Sequence, residues 1–266
     1  MKKWLLLLFS IWLTTLPSYS FNTMSGSHGF TDTYSVTRPF STAAPTLTYT
    51  TNLKMWIKAD AETYANNDLV ATLTDQSGNG NNLTQAVDGL KCTYKTNILN
   101  GYAAYYCPDN DRLYGSAYNI DDTKSGTLFI VFKTDANEVN VLFETIDGVL
   151  LVGSLNSTTI RTWSNTGGNS ADVTVSDSTA AYYYYTIILN ENTGANGVAN
   201  IRQSGVDKGS SASRARGAST TVNLPHTNGA AQSTQGYIVE ALYYEEAVAG
   251  ANLTTVESYL ASKYAL

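Results

Sequence analysis

The chain has 266 residues, with 16 Lys and Arg against 22 Asp and Glu and a formal net charge of −6 at pH 7. That balance excludes a nucleic-acid or anionic-membrane binder, which would have to neutralise phosphates. Only 14% of residues are charged, while Asn, Thr, Ser, Gly and 19 Tyr abound; this excludes a disordered chain and suits a hydrogen-bonding extracellular β-protein.

In chain order, Lys2 and Lys3 precede the apolar run Trp4–Leu13, Pro17 and the small residues of Ser18-Tyr19-Ser20. The run suits a signal h-region and is too short to cross a bilayer core, so residues 1–20 are expected to be a signal peptide cleaved after Ser20. The product would carry a net charge near −8, having lost Lys2 and Lys3. Its expected destination is secretion, the cell surface or the periplasm, with no membrane insertion. Residues 21–50, rich in Ser, Thr, Gly and Pro, read as an extended leader, with an added strand around Leu47–Thr51. Residues 51–266 read as one domain, long enough to bury a core.

From Leu53 onward, short apolar runs alternate with Gly, Asn and Asp. Strands are expected at Leu53–Ala59, Leu69–Thr74, Cys92–Lys95, Tyr102–Cys107, Thr127–Lys133, Val139–Thr145, Val149–Gly153, Thr158–Trp163, Ala171–Val175, Tyr182–Leu189, Val198–Gln203 and Gly236–Tyr244. That pattern predicts an all-β fold. Between the second and third runs, Asp75-Gln76-Ser77-Gly78-Asn79-Gly80 is a dense turn whose Asp and Ser side chains can bond nearby backbone N–H groups. The alternative is a structural Ca²⁺ held by Asp75, Asn79 and Asn81, which offer hard oxygen ligands.

Cys92 and Cys107 lie symmetrically about Leu99-Asn100. A hairpin centred there sets them opposite each other, within bridging range. A turn at Asn100-Gly101 instead shifts the register and leaves them diagonal. The first arrangement, with a disulfide, is favoured; two free thiols are the alternative.

Thr127–Lys133 is apolar on both faces, with Leu128, Ile130 and Phe132 on one and Phe129 and Val131 on the other, and Tyr182–Leu189 is apolar throughout. Such strands belong mid-sheet, with loops or a ligand sheltering the face turned from the opposite sheet. At the C-terminus, Leu253, Val256, Tyr259 and Leu260, followed by Tyr264, mark one stripe of a helix over Asn252–Lys263, with Asn252 as a cap. It is expected to dock on the sandwich as a clasp.

Three segments together resemble the laminin-G-like modules of the concanavalin A-like lectin/glucanase superfamily: Leu53–Ala61 (LKMWIKADA), Thr72–Gln85 (TLTDQSGNGNNLTQ) with Thr96–Tyr102 (TNILNGY), and Gly236–Leu266. The resemblance covers Leu53 to the end. It implies a two-sheet antiparallel jelly-roll sandwich with a short C-terminal helix. It also implies glycan binding, adhesion to cells or proteins, or a place beside enzyme domains.

Catalytic chemistry finds little footing. The family-16 glycoside hydrolases of that superfamily carry a Glu-x-Asp-x-x-Glu strand. The nearest pair here, Glu144 and Asp147, sits three residues apart, so its members would face opposite ways and read as the ends of a hairpin turn. His28 and His226 offer no triad or metal cluster, and Arg202, Arg214 and Arg216 read as solvated loop charges. Binding is better supported, because sugars stack on aromatic rings while amides and carboxylates bond their hydroxyls. Trp163, ending a strand before the SNTGGNS loop, is the first candidate; Tyr114, Tyr118, Tyr183 and Tyr185 follow, each with core packing as its alternative. The sequence therefore points to a non-catalytic glycan-binding module. A protein-recognising adhesion or assembly module of a cell-surface or viral appendage is the second reading, and a polysaccharide hydrolase or lyase the third.

Overall fold

A computed structural model describes residues 44–266 apart from 109–110, 116–117, 119–123, 136–139, 146–150, 164–169, 191–195, 215–220 and 226–234. The expected signal segment, most of the expected leader, Asp147, Arg216, His28 and His226 thus lie outside the described residues. Among those described, sixteen strands and one α-helix follow in order. They are β1 (Leu53–Lys58), β2 (Thr72–Leu73), β3 (Leu83–Thr84), β4 (Thr93–Leu99), β5 (Tyr102–Cys107), β6 (Leu113–Gly115), β7 (Gly126–Thr134) and β8 (Asn140–Thr145). Then come β9 (Leu151–Asn156), β10 (Thr159–Trp163), β11 (Ser170–Thr174), β12 (Tyr183–Leu189), β13 (Asn196–Gln203), β14 (Val206–Arg214), β15 (Val222–Leu224), β16 (Gly236–Tyr244) and α1 (Gly250–Tyr264).

The strands form two antiparallel eight-stranded sheets, the all-β sandwich with a short C-terminal helix that the patterning predicts. The first runs β14-β13-β12-β7-β16-β5-β4, with β1 also pairing β16; the second runs β11-β10-β9-β8-β15-β6-β3-β2. β16 is the spine of the first sheet. Its length pairs with β7, while β5 takes Gly236–Ile238 and β1 takes Glu240–Tyr244 along its other edge. Leu128, Ile130, Phe132, Tyr185 and Tyr243 meet Leu113, Phe143, Ile160 and Leu224 in the core between the sheets. There the Phe143 and Tyr243 rings stack 5.5 Å apart across the two layers.

The opposite face of the first sheet is equally dry, which explains the doubly apolar strands. Phe129, Val131, Tyr184, Leu242 and Tyr244 pack against Val256, Tyr259, Leu260 and Tyr264 of α1 and against Leu47 from the incoming chain. The shelter is thus the helix and residues 44–50, not a ligand. The latter run without strand pairing, but Tyr49 stacks on Tyr244 at 5.6 Å. The helix begins at Gly250, so Asn252 lies within its first turn rather than capping it; Ala249 is the cap and makes no side-chain bond. Glu257 fastens the helix midway, accepting from Arg202 Nε (2.8 Å), Arg202 Nη2 (3.0 Å) and Thr186 Oγ1 (2.9 Å). Arg202 therefore lies on β13 in an ion pair, not in a solvated loop. Arg214 ends β14, opposite Asn196. No helix among the described residues is long and apolar enough to cross a membrane.

The disulfide Cys92–Cys107 forms by a route that combines both expected registers. Asn100 and Gly101, at φ 50° and 91°, make the turn, and Leu99 pairs with Tyr102; positive φ at both centres is what a two-residue turn of this hand requires. Between Lys95 and Leu99 β4 then bulges, three residues facing one, with Asn97 at φ 57°. The bulge restores the pairs Thr93–Tyr106 and Lys95–Ala104, so the two cysteines come opposite, their Cα atoms 4.4 Å apart.

Candidate functional site

Alternation along the strands of the second sheet sorts its residues between core and outside. Ile160 and Thr162 are buried at 1% and 0% exposure, Ile160 in the core between the sheets, which sets Arg161 and Trp163 on the outer face. Phe143, Leu113 and Leu224 point inward in the same way, setting Glu144, Tyr114 and Asn223 outward. Register then joins these positions in a single row. Trp163 pairs with Leu151, Leu151 with Glu144, Glu144 with Asn223, Asn223 with Tyr114, and Tyr114 with Thr84. Directly opposed residues share a face. With strands about 4.8 Å apart, four spacings put Trp163 about 19 Å from Tyr114.

Between these aromatic ends lies a polar pair. Asn223 Nδ2 donates to Glu144 Oε2 at 3.1 Å, and both side chains are buried. Glu144 is therefore a strand residue in the middle of the row, where its pairing with Leu151 is the last before the β8–β9 connection. Tyr114 is 42% exposed. Two residues before Trp163, the Arg161 guanidinium forks onto Asp172 at 2.6 and 2.7 Å and ties β10 to the edge strand β11. The side chain of Trp163 and the loop after it lie outside the described residues.

The remaining ligand candidates belong to the interior. Tyr185 is fully buried, stacked 4.7 Å from Phe132 and bonded to Gln203 Nε2 at 2.9 Å. Tyr118 is buried and donates to the Asn81 carbonyl, and burial pushes its hydroxyl well above the usual range. Tyr183 packs on the same core, edge-on to Tyr185. Their apolar neighbours come from distant strands, which is why sequence alone leaves them ambiguous.

Asp75, Asn79 and Asn81 do come together, but by hydrogen bonding. Asp75 Oδ1 accepts from Trp56 N and Ser77 N, and Oδ2 from Ser77 Oγ and Asn81 N, at 2.7–3.0 Å. The Asn79 and Asn81 amide nitrogens donate to the Leu53 and Lys54 carbonyls. The carboxylate that would lead a cation site is thus filled with donors, and the loop staples β1. Among the described residues no three His, Cys, Asp or Glu side chains are grouped to hold a metal.

A second polar site lies beneath α1, and the sequence reading passes over it. Glu240, mid-strand on β16 and fully buried, accepts four bonds: from Trp56 Nε1 (2.5 Å), Tyr259 OH (2.8 Å), Lys263 Nζ (2.9 Å) and Tyr264 OH (2.6 Å). Burial and then Glu240 raise both tyrosine hydroxyls far above their usual range, so they remain donors. Lys263 Nζ also reaches Asp60 Oδ1 at 3.0 Å and sits 5.0–5.6 Å from the ring centres of Tyr102, Tyr259 and Tyr264. Beside it opens a cavity of about 250 Å³ lined by Ala44–Leu47, Trp56, Lys58, Asp60, Tyr259 and Lys263. The legible signals were a glutamate inside the apolar run YIVEALYY and a lysine in the helix stripe.

No family model and no curated protein matches this chain. Among solved structures, the chain is similar to the receptor-binding domain of botulinum neurotoxin C/D mosaic serotype, with TM-score 0.58 and 12% identity over 79% of this chain and 52% of that one. It is similar to an arabinofuranosidase complexed with arabinofuranosyl-α-1,2-xylobiose, with TM-score 0.53 and 15% identity over 74% and 51%. It is also similar to the binding domain of botulinum neurotoxin DC in complex with rat synaptotagmin II, with TM-score 0.54 and 11% identity over 81% and 52%. The chain thus spans about half of each, and at these identities the likeness is one of fold: this chain shares the β-sandwich on which those proteins are built.

Proposed function

We propose that this chain is an exported glycan-binding module of the concanavalin A-like type, without catalytic activity, that takes an oligosaccharide across the outer face of its second sheet. The observation that carries the reading is the row Trp163–Leu151–Glu144–Asn223–Tyr114, aromatic at both ends and hydrogen-bonding between. Rings at the ends would stack on sugar faces, and the buried Glu144–Asn223 pair would hold β8 and β15 in register between them. A span of about 19 Å suits several linked sugars better than one. Hydrolysis by paired carboxylates needs a second acid at short range. In this row Glu144 is the one carboxylate among the described residues, and nearby Asp172 is held by Arg161. Similar structures were solved with arabinofuranosyl-xylobiose, and for a type C neurotoxin with cell entry dependent on two ganglioside molecules. The Lys2–Ser20 segment and the disulfide fit passage through an oxidising compartment.

The test is a polysaccharide and glycan array on the purified protein, followed by calorimetry on Trp163→Ala and Tyr114→Ala. We expect each variant to bind at least tenfold more weakly with an unchanged melting temperature. Glycan binding unaffected by both substitutions would move the site elsewhere. Absence of glycan binding together with capture of a defined surface protein would favour the second reading, a protein-recognising module, to which the synaptotagmin-bound neighbour lends support.

A further inference from the structure

Lys263 is the most enclosed cation of the described chain, 3% exposed, and its ammonium lies between two carboxyl groups, Asp60 at 3.0 Å and Glu240 at 2.9 Å. Keeping the Lys263 and Glu240 charges away from water is costly, because the interior solvates them poorly. Three tyrosine rings wall the amine, and Glu240, wholly buried, is fixed by donors at both oxygens. An enclosed amine, a wholly buried carboxylate and a partly exposed carboxyl held in contact are the components of an amide-forming centre.

We propose that Lys263 and Asp60 become joined by an intramolecular amide bond, with Glu240 as the catalytic proton carrier. One ammonium proton passes along the 3.0 Å contact to Asp60, leaving a neutral amine facing a carboxylic acid. The lone pair on Nζ attacks Cγ of Asp60. Glu240, 2.9 Å from Nζ, takes a proton from the attacking nitrogen and returns it to the departing hydroxyl. A C–N bond forms, a C–O bond breaks, and one water leaves; no oxidant, reductant or cofactor takes part. The adjoining cavity, lined by both Asp60 and Lys263, gives that water somewhere to go.

Proximity and charge both favour the reaction here. Groups held in reacting contact behave as if present at about 10⁵–10⁸ M, which offsets the weak tendency of an amine and an acid to condense in water. Condensation also removes the charge of the enclosed Lys263 ammonium, which its surroundings disfavour. The bond would tie the last turn of α1 to the chain just after β1, across 203 residues of sequence.

Peptide mapping of the full chain, purified, held at neutral pH, reduced and cut with trypsin, tests this. Trypsin otherwise releases residues 59–91 and 217–263 as separate linear peptides, since no Lys or Arg interrupts either. The bond predicts instead one branched species, residues 59–91 joined to 217–266, lighter than its two parts by the mass of one water. Asp60→Ala and Lys263→Arg should each give only linear peptides, as should Glu240→Gln if it folds by near-ultraviolet circular dichroism. Asp60 belongs to an exposed residue position, so its replacement leaves a folded control. Linear peptides alone from the wild-type protein overturn the proposal, and so does a branched peptide that survives Asp60→Ala. Full cross-linking in folded Glu240→Gln overturns the role given to Glu240.

Discussion

Glu257→Ala tests whether α1 is fastened by a buried ion pair or merely decorated by a surface one. Glu257 is 8% exposed at its side chain and Arg202 22%. Two effects add. Charge-assisted bonds from the guanidinium are lost, worth about 1.5–3 kcal/mol net. Thr186, fully buried, also loses the acceptor for its hydroxyl, which costs about 1–3 kcal/mol. Arg202 still reaches the Gly205 carbonyl and water, so its own desolvation adds little. We expect a loss of about 3–4 kcal/mol, against about 0–1 kcal/mol for an exposed pair. Urea unfolding should show a lower midpoint with an unchanged slope. Adding Thr186→Val to the variant should return about 1 kcal/mol, because no hydroxyl is then stranded. A loss below about 1 kcal/mol for Glu257→Ala alone would refute the reasoning.

Replacing both cysteines by serine should cost about 3 kcal/mol, the loop-closure value for a bridge of this span, read by urea or thermal unfolding of the oxidised wild type beside the variant. Asp75→Ala should cost about 2–4 kcal/mol through the donors it strands, and neither Ca²⁺ nor a chelator should shift the wild-type melting temperature; a Ca²⁺-dependent rise that vanishes in the variant would restore a cation to that loop. Burial, then Glu257, push the Tyr184 hydroxyl up to about 12. Because the folded value exceeds the unfolded one, that contribution is intact below about pH 10 and is lost as pH rises through about 12. Tyr184→Phe should therefore lose about 2–3 kcal/mol less than wild type across that window, measured by urea titration.

The strands that sequence alone reveals are those with two-fold apolar alternation or dense β-branched and aromatic content. β14 escapes because VDKGSSASR has neither, and it stands at the sheet edge, held by backbone pairing with β13. β3, β6 and β15 escape because two or three residues carry no period. The Leu69–Thr74 run shrinks to β2 because only Leu69, through an isolated bridge to Thr93, pairs outside it. For the binding row, Trp163 and Tyr114 could be named individually. Their alignment could not, since it passes through β9, β8 and β15 in an order no local pattern encodes. Glu240 and Lys263 show the opposite case. Each breaks an apolar pattern at a readable position, but they concern each other only once α1 lies on β16.

The central position of β16 has a consequence for how the chain is made. Ribosomes release the segment that bisects the first layer after every other strand of that layer has emerged, and β1 must wait for a partner almost two hundred residues downstream, Leu53 against Tyr244. Until then nothing joins β7 and its neighbours to β5 and β4. Such distant pairing slows maturation through its loop-closure cost. Completion of that layer is therefore a late event, set by the arrival of its central strand.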